Sequence, residues 1–534
     1  MRYFLFFSAF VLFISIELRA QFDASVSNTL RYGNGERSLG TVNQSLKYFE
    51  NLTDVRIQLP ENFTAGFRLL YDIPPEVGLE FKGIRRRFFE YDGADFSARI
   101  GDFSQLYGRG LAMNLFESRG LGYDTWMDGI KAKYKNDYFN ISALFGTLDF
   151  RDSIIFARNE IHKLRGGNIE LTPVKNLSVG LTYIYSRSSL KLFGENKELE
   201  INIPSVYANY SFSDFTFSFD YANKETKNKS DKKISNGAAY YSAVSFNADG
   251  LGITLDYKNY FFDERDPFEK NDITRSSRMM PFQNPPIVLK EHSYTLLTRA
   301  IHEVDFNDET GLQLEIFKSL NEYTDLNING SISSRHSFYK FDPNHFIFNK
   351  HERSDDFLPS FSEEYSPYWE LFGEAVHYFD ESTYMKLALA RRDKIFYDEF
   401  FGGRSNHVIK SAIFALQISH SVSSLYSFEG QVEYESVYDN FNGEQKNYNN
   451  YLITLINTIE SQYTFTVRYE WTNNRFDVSD RIDWITFESG LRITQANTVV
   501  ASYGRERGGQ VCSNGVCRYI QPFEGFRFSL LTNI

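Results

Sequence analysis

Apolar and polar residues alternate with a period of two along most of the chain. In FTFSFDY (215–221) the aromatic residues take every second position, and YTFTVRYEW (463–471) repeats the pattern. Because side chains alternate across a strand, this periodicity predicts β-strands, and no segment keeps a helical spacing over several turns. The segments run for about ten to fourteen residues, which is long for a soluble sheet and sufficient for a transmembrane strand.

Periodicity alone does not separate a soluble β-protein from a membrane barrel, but other features favour the barrel. Residues 1–20 have a basic Arg2, an apolar stretch at 4–16 and a small Ala20, which predicts a cleaved signal peptide. Turns such as KNDYF (135–139) and FSDF (212–215) are short, as periplasmic turns are. In such a barrel the apolar face meets lipid and the polar face lines the lumen.

The sequence therefore predicts an all-β fold, a transmembrane antiparallel outer-membrane β-barrel of about 22 strands, within a range of about 18 to 26. A single barrel domain would occupy residues 21–534. FRFSLLTNI (526–534) is predicted to be the last strand, paired with the first. The long breaks at 264–293, 340–367 and 398–407 are expected to be extracellular loops or inserts in the lumen.

Composition narrows the class of protein further. The chain is 17% aromatic, with 51 Phe and 35 Tyr, which suits a lipid-facing wall with aromatic girdles. Its net charge of −12 argues against a nucleic-acid partner. No apolar run after Ala20 is long enough for a membrane helix. We expect the protein in the outer membrane, in contact with lipid and lipopolysaccharide, and with envelope proteins as further candidate partners.

The two cysteines, Cys512 and Cys517, stand in CSNGVC around the turn dipeptide Asn514-Gly515. This turn brings the two β-carbons close, and an exported protein keeps a disulfide oxidised. A redox pair and two reduced thiols are the alternatives. A metal site would need ligands that the neighbourhood does not offer, and no cofactor is expected.

Charged residues on the polar face are the candidate site residues. Glycines flank Arg109 in YGRG (107–110), which indicates a bulge or a close backbone approach. We expect Arg109, Glu117 and Arg119 to reach the lumen and pair with Asp102 or Asp124, as structural ion pairs or as a constriction. The full set of predicted lumen or constriction charges is Asp102, Arg109, Glu117, Arg119, Lys131, Lys133, Glu433, Glu435, Arg468 and Glu470.

Three stretches resemble one family: GDFSQLYGRGLAMNLFESRGLGYD (101–124), NPPIVLKEHSYTLLTR (284–299) and VCSNGVCRYIQPFEGF (511–526). They are similar to uncharacterised outer-membrane β-barrels of Bacteroidota, the DUF6029 family. The resemblance implies a barrel and an outer-membrane location. It implies no chemistry.

Three classes of function follow. A channel or transporter for small solutes is the first, because a barrel of this size has a lumen unless something fills it. A non-conducting scaffold in an envelope or secretion assembly is the second. A membrane-embedded enzyme is the third, and we expect no enzyme: His336-Ser337 and Ser419-His420-Ser421 place imidazole and hydroxyl on opposite strand faces.

Overall fold

The computed structural model describes residues 23–39, 42–152, 158–192, 195–229, 232, 234–262, 280–299, 301–477, 480–513 and 516–534. The predicted signal peptide, residues 1–20, lies outside these residues. The described part of the chain is built almost entirely of strands. In chain order they are β1 (Asp23–Leu39), β2 (Val42–Leu59), β3 (Phe63–Asp72), β4 (Phe81–Asp92), β5 (Phe96–Phe103), β6 (Leu106–Tyr107), β7 (Met113–Asn114), β8 (Glu117–Ser118), β9 (Tyr123–Asp124), β10 (Met127–Lys135), β11 (Phe139–Asp152), β12 (Arg158–Val174), β13 (Leu177–Leu192), β14 (Glu195–Phe212), β15 (Phe215–Asn228), β16 (Ile234–Ala248), β17 (Leu251–Phe261), β18 (Glu309–Asn321), β19 (Thr324–Ser334), β20 (Ser337–Asp342), β21 (Ile347–Glu352), β22 (Tyr368–Tyr378), β23 (Thr383–Phe396), β24 (His407–Ser423), β25 (Tyr426–Asp439), β26 (Asn447–Ile459), β27 (Tyr463–Thr472), β28 (Asp483–Arg492), β29 (Asn497–Glu506), β30 (Gly509–Ser513), β31 (Val516–Ile520) and β32 (Phe523–Asn533).

Twenty-four of these strands form one antiparallel sheet that closes on itself: β1–β5, β10–β19, β22–β29 and β32. Closure comes from β32, which pairs with β29 on one side and with β1 on the other. The prediction that the closing segment pairs with the first strand is confirmed. The predicted barrel is confirmed too, with 24 strands where the sequence indicated about 22.

The two ends of the barrel differ in their connections. At the end that holds both Asp23 and Asn533, the strands are joined by short turns such as 136–138 and 213–214. At the opposite end the strands are joined by longer connections, which include positions 104–126, 262–308, 335–367 and 507–522 of the chain. We call these the short-turn end and the long-loop end. Within the described residues, no helix has the length and apolar character needed to cross a membrane.

The outer face of the wall is an apolar belt with a definite edge. Ile100, Ile130 and Phe145 are cross-strand neighbours on β5, β10 and β11, and each remains at least half exposed. Two positions further toward the long-loop end, the outward residues become Asp128 and Thr147. An exterior row of exposed aromatic and aliphatic residues beneath a polar row is the pattern of a wall immersed in lipid.

The interior is not the polar channel that the alternation suggested, because two connections fold into it. The first plug segment is residues 104–126, and the second plug segment is residues 280–308, in which residue 300 is not described. Their apolar residues, among them Leu111, Met113 and Phe282, are fully buried. They pack against apolar lumen-facing residues such as Leu148 and Ile201 in one hydrophobic cluster. The lumen face of the wall is therefore apolar where it meets this cluster.

The predicted long breaks have different outcomes. Of 264–293, residues 264–279 lie outside the described part of the chain, and 280–293 are an insert in the lumen, one of the two predicted possibilities. In 340–367, the β20–β21 hairpin is followed by an irregular segment at the long-loop end. In 398–407, Phe400 packs on Phe341 of that hairpin with 5.0 Å between ring centroids.

Candidate functional site: a plugged lumen and a cationic cavity

The two plug segments are hydrogen-bonded to each other. The backbone N–H of Asn114 donates to the Phe282 carbonyl at 2.8 Å, and the Gln283 side-chain amide donates to the Leu111 carbonyl at 2.9 Å. Buried backbone groups need partners, and here two distant parts of the chain supply them to each other. The two segments therefore form one body inside the barrel.

Ion pairs hold the first plug segment to the wall. Arg68 of β3 meets Glu117 at 2.7 Å, and Arg119 meets Asp72 at 3.0 Å. Arg86, at a β-bulge residue with φ 56°, contacts Glu117 at 3.3 Å. Burial by itself would raise the pKa of Glu117, but the guanidinium groups of Arg86 and Arg68 outweigh it and hold that pKa below its ordinary value.

Carboxylates of the opposite wall clamp the second plug segment. Glu433 of β25 accepts the backbone N–H groups of Thr295 at 2.9 Å and Leu296 at 2.7 Å. Glu470 of β27 pairs with Arg299 at 2.6 Å. Charge-assisted bonds of this kind are about twice as strong as neutral ones, so these two carboxylates are clamps.

Cations of β23, two strands from β25 in the same arc of wall, complete the clamp. Arg392 of β23 donates to the carbonyls of Leu297 at 3.0 Å and Arg299 at 3.1 Å. Lys394, two residues along the same strand face, donates to the Ile301 carbonyl at 3.1 Å. The backbone of the second plug segment thus finds donors and acceptors on the wall where water is excluded.

A buried charge cluster lies where the second plug segment enters β18. Lys258 and Glu309 form an ion pair at 2.6 Å, and both side chains are almost fully buried. His302 contacts the other oxygen of Glu309 at 2.9 Å, and Lys258 also donates to the Ile287 carbonyl at 2.7 Å. Burial lowers the pKa of His302 in spite of its carboxylate neighbour.

The hairpin of β30 and β31 covers the plug at the long-loop end. Its two strands are joined by the Cys512–Cys517 disulfide, as predicted. Arg518 forms an ion pair with Asp152 of β11, and Val516 joins the plug's hydrophobic cluster. The hairpin therefore reaches into the lumen and helps to close that end.

Toward the short-turn end the lumen keeps a cavity of about 670 Å³. Its wall residues, such as Lys133 of β10 and Ser142 of β11, lie close to the 136–138 turn, and its roof includes Gly108 and Arg109 of the first plug segment. The charged residues that line it are Arg99, Arg109, Lys131, Lys133, Glu90 and Glu170. We call this space the cationic cavity, because cations outnumber carboxylates.

The lining charges are only partly paired. Arg99 contacts Glu90 at 3.3 Å, and Lys131 donates to the Ser104 carbonyl at 3.3 Å. Glu170 accepts the Tyr207 hydroxyl at 2.8 Å. Lys131 stands directly opposite Arg99 in the register of β5 and β10. Two cations in that relation repel each other, which marks this patch of wall as poorly compensated.

The structure brings most predicted site residues to the lumen but changes their pairing. Arg119 pairs with Asp72 rather than with Asp102 or Asp124, and Glu117 pairs with Arg68 and Arg86. The predicted pairing was wrong because β3 and β4 supply the nearer charges.

The remaining candidates have separate surroundings. The backbone N–H of Arg109 donates to Asp220, and its guanidinium donates to Ser218. Glu435 is buried and accepts a hydrogen bond from Asn450 at 2.8 Å. Arg468 is exposed on the face of β27 that bears Glu470. Asp102 lies opposite Asp128 on the outer face of the wall, which also bears Ile100 and Ile130, so its predicted place in the lumen was wrong. Whether the charges inside the lumen form a selective constriction stays a prediction.

The hydroxyl–imidazole pairs weighed for an enzyme are engaged elsewhere. His336 is buried, with Nδ1 at 2.8 Å from Asp308 and Nε2 at 3.1 Å from Asn259. Ser337 donates to that same Asp308 rather than to the imidazole. The contacts of His336 are those of a structural residue.

Sequence reasoning missed the residues that hold the plug, above all Lys258, Glu309, Arg299 and Arg392. One signal was present: GLAMNLF (110–116) and PFQNPPIVL (281–289) are apolar stretches without alternation. Such stretches favour burial over a solvated loop.

Fold and site together define a closed β-barrel plugged by its own connections. A family model, described as a family of unknown function (DUF6029), matches residues 2–534. The chain belongs to this family. No curated protein matches the chain significantly.

Three solved structures with similarity over most of the chain are a receptor and two transporters by name. The siderophore receptor PirA from Pseudomonas aeruginosa has a TM-score of 0.47 and 8% identity, covering 97% of this chain and 81% of its own. The copper transporter OprC has a TM-score of 0.44 and 9% identity, with the same coverages. The ferric citrate transporter FecA has a TM-score of 0.41 and 9% identity, covering 96% and 79%. At such scores the likeness supports no conclusion about cargo.

Proposed function

We propose that this protein is an outer-membrane transporter for small solutes whose lumen is closed by the plug. The apolar belt on the wall supports a place in lipid, and a closed barrel leaves no strand edge unpaired there. The short-turn end would face the periplasm, and the long loops would face the outside.

The observation that carries this proposal is the cationic cavity beneath the plug. A barrel with a purely structural role can fill its lumen with side chains, as the long-loop half of this one does. Here about 670 Å³ of polar space persists in the other half. Space of that size and polarity suits a small hydrophilic solute in transit.

A non-conducting scaffold is the second candidate, and two observations favour it. The plug is fixed by an apolar cluster as well as by ion pairs, so its displacement is costly. The loops at the long-loop end expose Phe346, Phe361 and Phe401 with 76%, 71% and 66% of their surface accessible. Exposed aromatic groups of this kind are typical of protein contacts.

Conductance across a planar bilayer decides between the two. The double variant Glu433→Gln/Glu470→Gln weakens both carboxylate clamps while leaving the strands intact. We expect the wild type to show little steady conductance and the variant to show frequent or sustained opening. Glu429→Gln is the matched control, because Glu429 lies on the same face of β25, four residues nearer the short-turn end.

Folding of each variant is checked by heat-modifiable migration in SDS gels. A folded clamp variant that is as silent as the wild type would contradict transport and leave the scaffold. Opening in the control to the same extent would show that charge loss in the lumen, and not release of the plug, is responsible.

A further inference from the structure

We propose that the cationic cavity binds a small hydroxylated anion, a sugar phosphate or a sugar acid. The inference rests on the proposed transport function, because it names the class of solute that the lumen would accept. The charge of the lining, the strand register and the unpartnered side-chain oxygen of Asn140 support it.

The charge of the lining is opposite in sign to that of the protein. The cavity is lined by Arg99, Arg109, Lys131 and Lys133, against the two carboxylates of Glu90 and Glu170. The whole chain has a net charge of −12. A local excess of cations inside an acidic barrel attracts anions, and the apolar wall around it strengthens that attraction.

The positions of these cations point to a ligand as their missing partner. Lys131 lies directly across from Arg99, and Lys133 follows two residues later on the same strand face. Like charges in such proximity destabilise a sheet. The carboxylate of Glu90 compensates the charge of Arg99. The amine of Lys131 donates instead to the backbone carbonyl of Ser104. An anion at this place would relieve the repulsion.

The rest of the lining suits hydroxyl groups. The amides and hydroxyls that line the cavity belong to Asn114, Asn140, Asn168, Asn209, Ser142 and Tyr207, and all of these side chains except Asn140 already make a hydrogen bond to another described residue. The Asn140 side-chain oxygen is buried and has no hydrogen-bond partner within the described part of the chain. A buried acceptor without a donor is costly, and a ligand hydroxyl would supply the donor.

The size of the cavity limits the ligand. About 670 Å³ lies within the usual range of small-molecule sites. It accommodates a monosaccharide with one anionic group and some water. Gly108 and Arg109 of the first plug segment form its roof toward the long-loop end.

Calorimetric titration of the detergent-solubilised protein tests the proposal with three probes: glucose 6-phosphate, glucuronate and glucose. We expect the two anions to bind at least ten-fold more tightly than glucose, with an affinity that falls as salt is added. Lys131→Gln/Lys133→Gln is expected to lose at least ten-fold in affinity for the anions. Lys135→Gln, on the same strand face beyond the cavity, serves as the control and should bind as the wild type does.

Equal binding of glucose and the anions would overturn the selection of anions. Absence of binding by either anion to folded wild-type protein would overturn the site itself. Equal loss in the Lys135 control would show a diffuse charge effect and also overturn it. These outcomes are separate from the bilayer test, because a barrel that conducts can fail to bind these probes, and a silent barrel can bind them.

Discussion

The two halves of the lumen use charged residues in opposite ways. In the long-loop half, buried charges such as Lys258 and Glu309 have partners of opposite sign, and apolar side chains fill the space between. In the short-turn half, Lys131 and Arg99 stand side by side on neighbouring strands that line an open cavity. In both halves the charged residues stand at inward-facing positions of the strands. The two halves differ in whether another part of the chain supplies opposite charges to these residues. In the short-turn half it does so only in part, and a bound solute could supply the rest.

Breaking the buried pair should disturb the plugged half most. Lys258→Met leaves the Glu309 charge buried with His302 and the Asp305 backbone N–H as its remaining partners, at a cost of about 3–5 kcal/mol. We expect hydrogen–deuterium exchange of residues 280–299 to accelerate strongly. Lys258→Met/Glu309→Gln should recover much of the protection, because the stranded charge is gone. Unchanged exchange in the single variant would show that the pair does not hold the plug.

A cavity in the apolar cluster should have the next largest effect. Met113→Ala removes a fully buried side chain from the first plug segment, at a cost of about 2–5 kcal/mol. Leu106→Ala, in the same segment but 53% exposed toward the cationic cavity, should cost less than about 0.5 kcal/mol. Urea-induced exposure of the plug to protease measures both. Similar costs for the two variants would remove the contrast between the halves.

The smallest expected effect is a dependence on pH. The pKa of Glu117 is held below its ordinary value in the folded protein, so its ion pairs stabilise the plug above about pH 4.3 and are lost as pH falls through the depressed pKa. The difference in melting temperature between the wild type and Glu117→Gln should therefore be largest near neutral pH and shrink toward pH 3. A difference in melting temperature that grows on acidification would mean that the pKa of Glu117 is raised, and not lowered, in the folded protein.

The strands of the barrel wall can be predicted from the sequence, whereas the plug cannot. Alternation in segments such as 215–221 predicts strands whatever their partners are, and the closing segment 526–534 was correctly placed against the first strand. The apolar lumen face was missed because outward and inward residues of β11 are both apolar near Leu144 and Phe145, which blurs a period of two. The local sequence pattern of a strand does not show which of its faces another segment of the chain covers.

For most of the candidate site residues, too, the sequence predicts the position in the lumen but not the role. Glu433 and Glu470 were placed in the lumen by alternation alone. Their role as clamps depends on Thr295, Leu296 and Arg299, which lie more than 130 residues away in sequence. The cationic cavity likewise needs β5, β10 and the first plug segment together. Contacts of that kind arise from the closed fold, and spacing along the chain does not predict them.

Both plug segments are internal loops, tethered at each end. The first connects β5 to β10 and the second connects β17 to β18, and each of these pairs of strands is hydrogen-bonded side by side. Neither segment can leave the barrel as a detachable stopper would. Any passage must therefore open by movement of these tethered loops relative to the wall. It would close again by relaxation of the same loops, in the manner of a hinged valve.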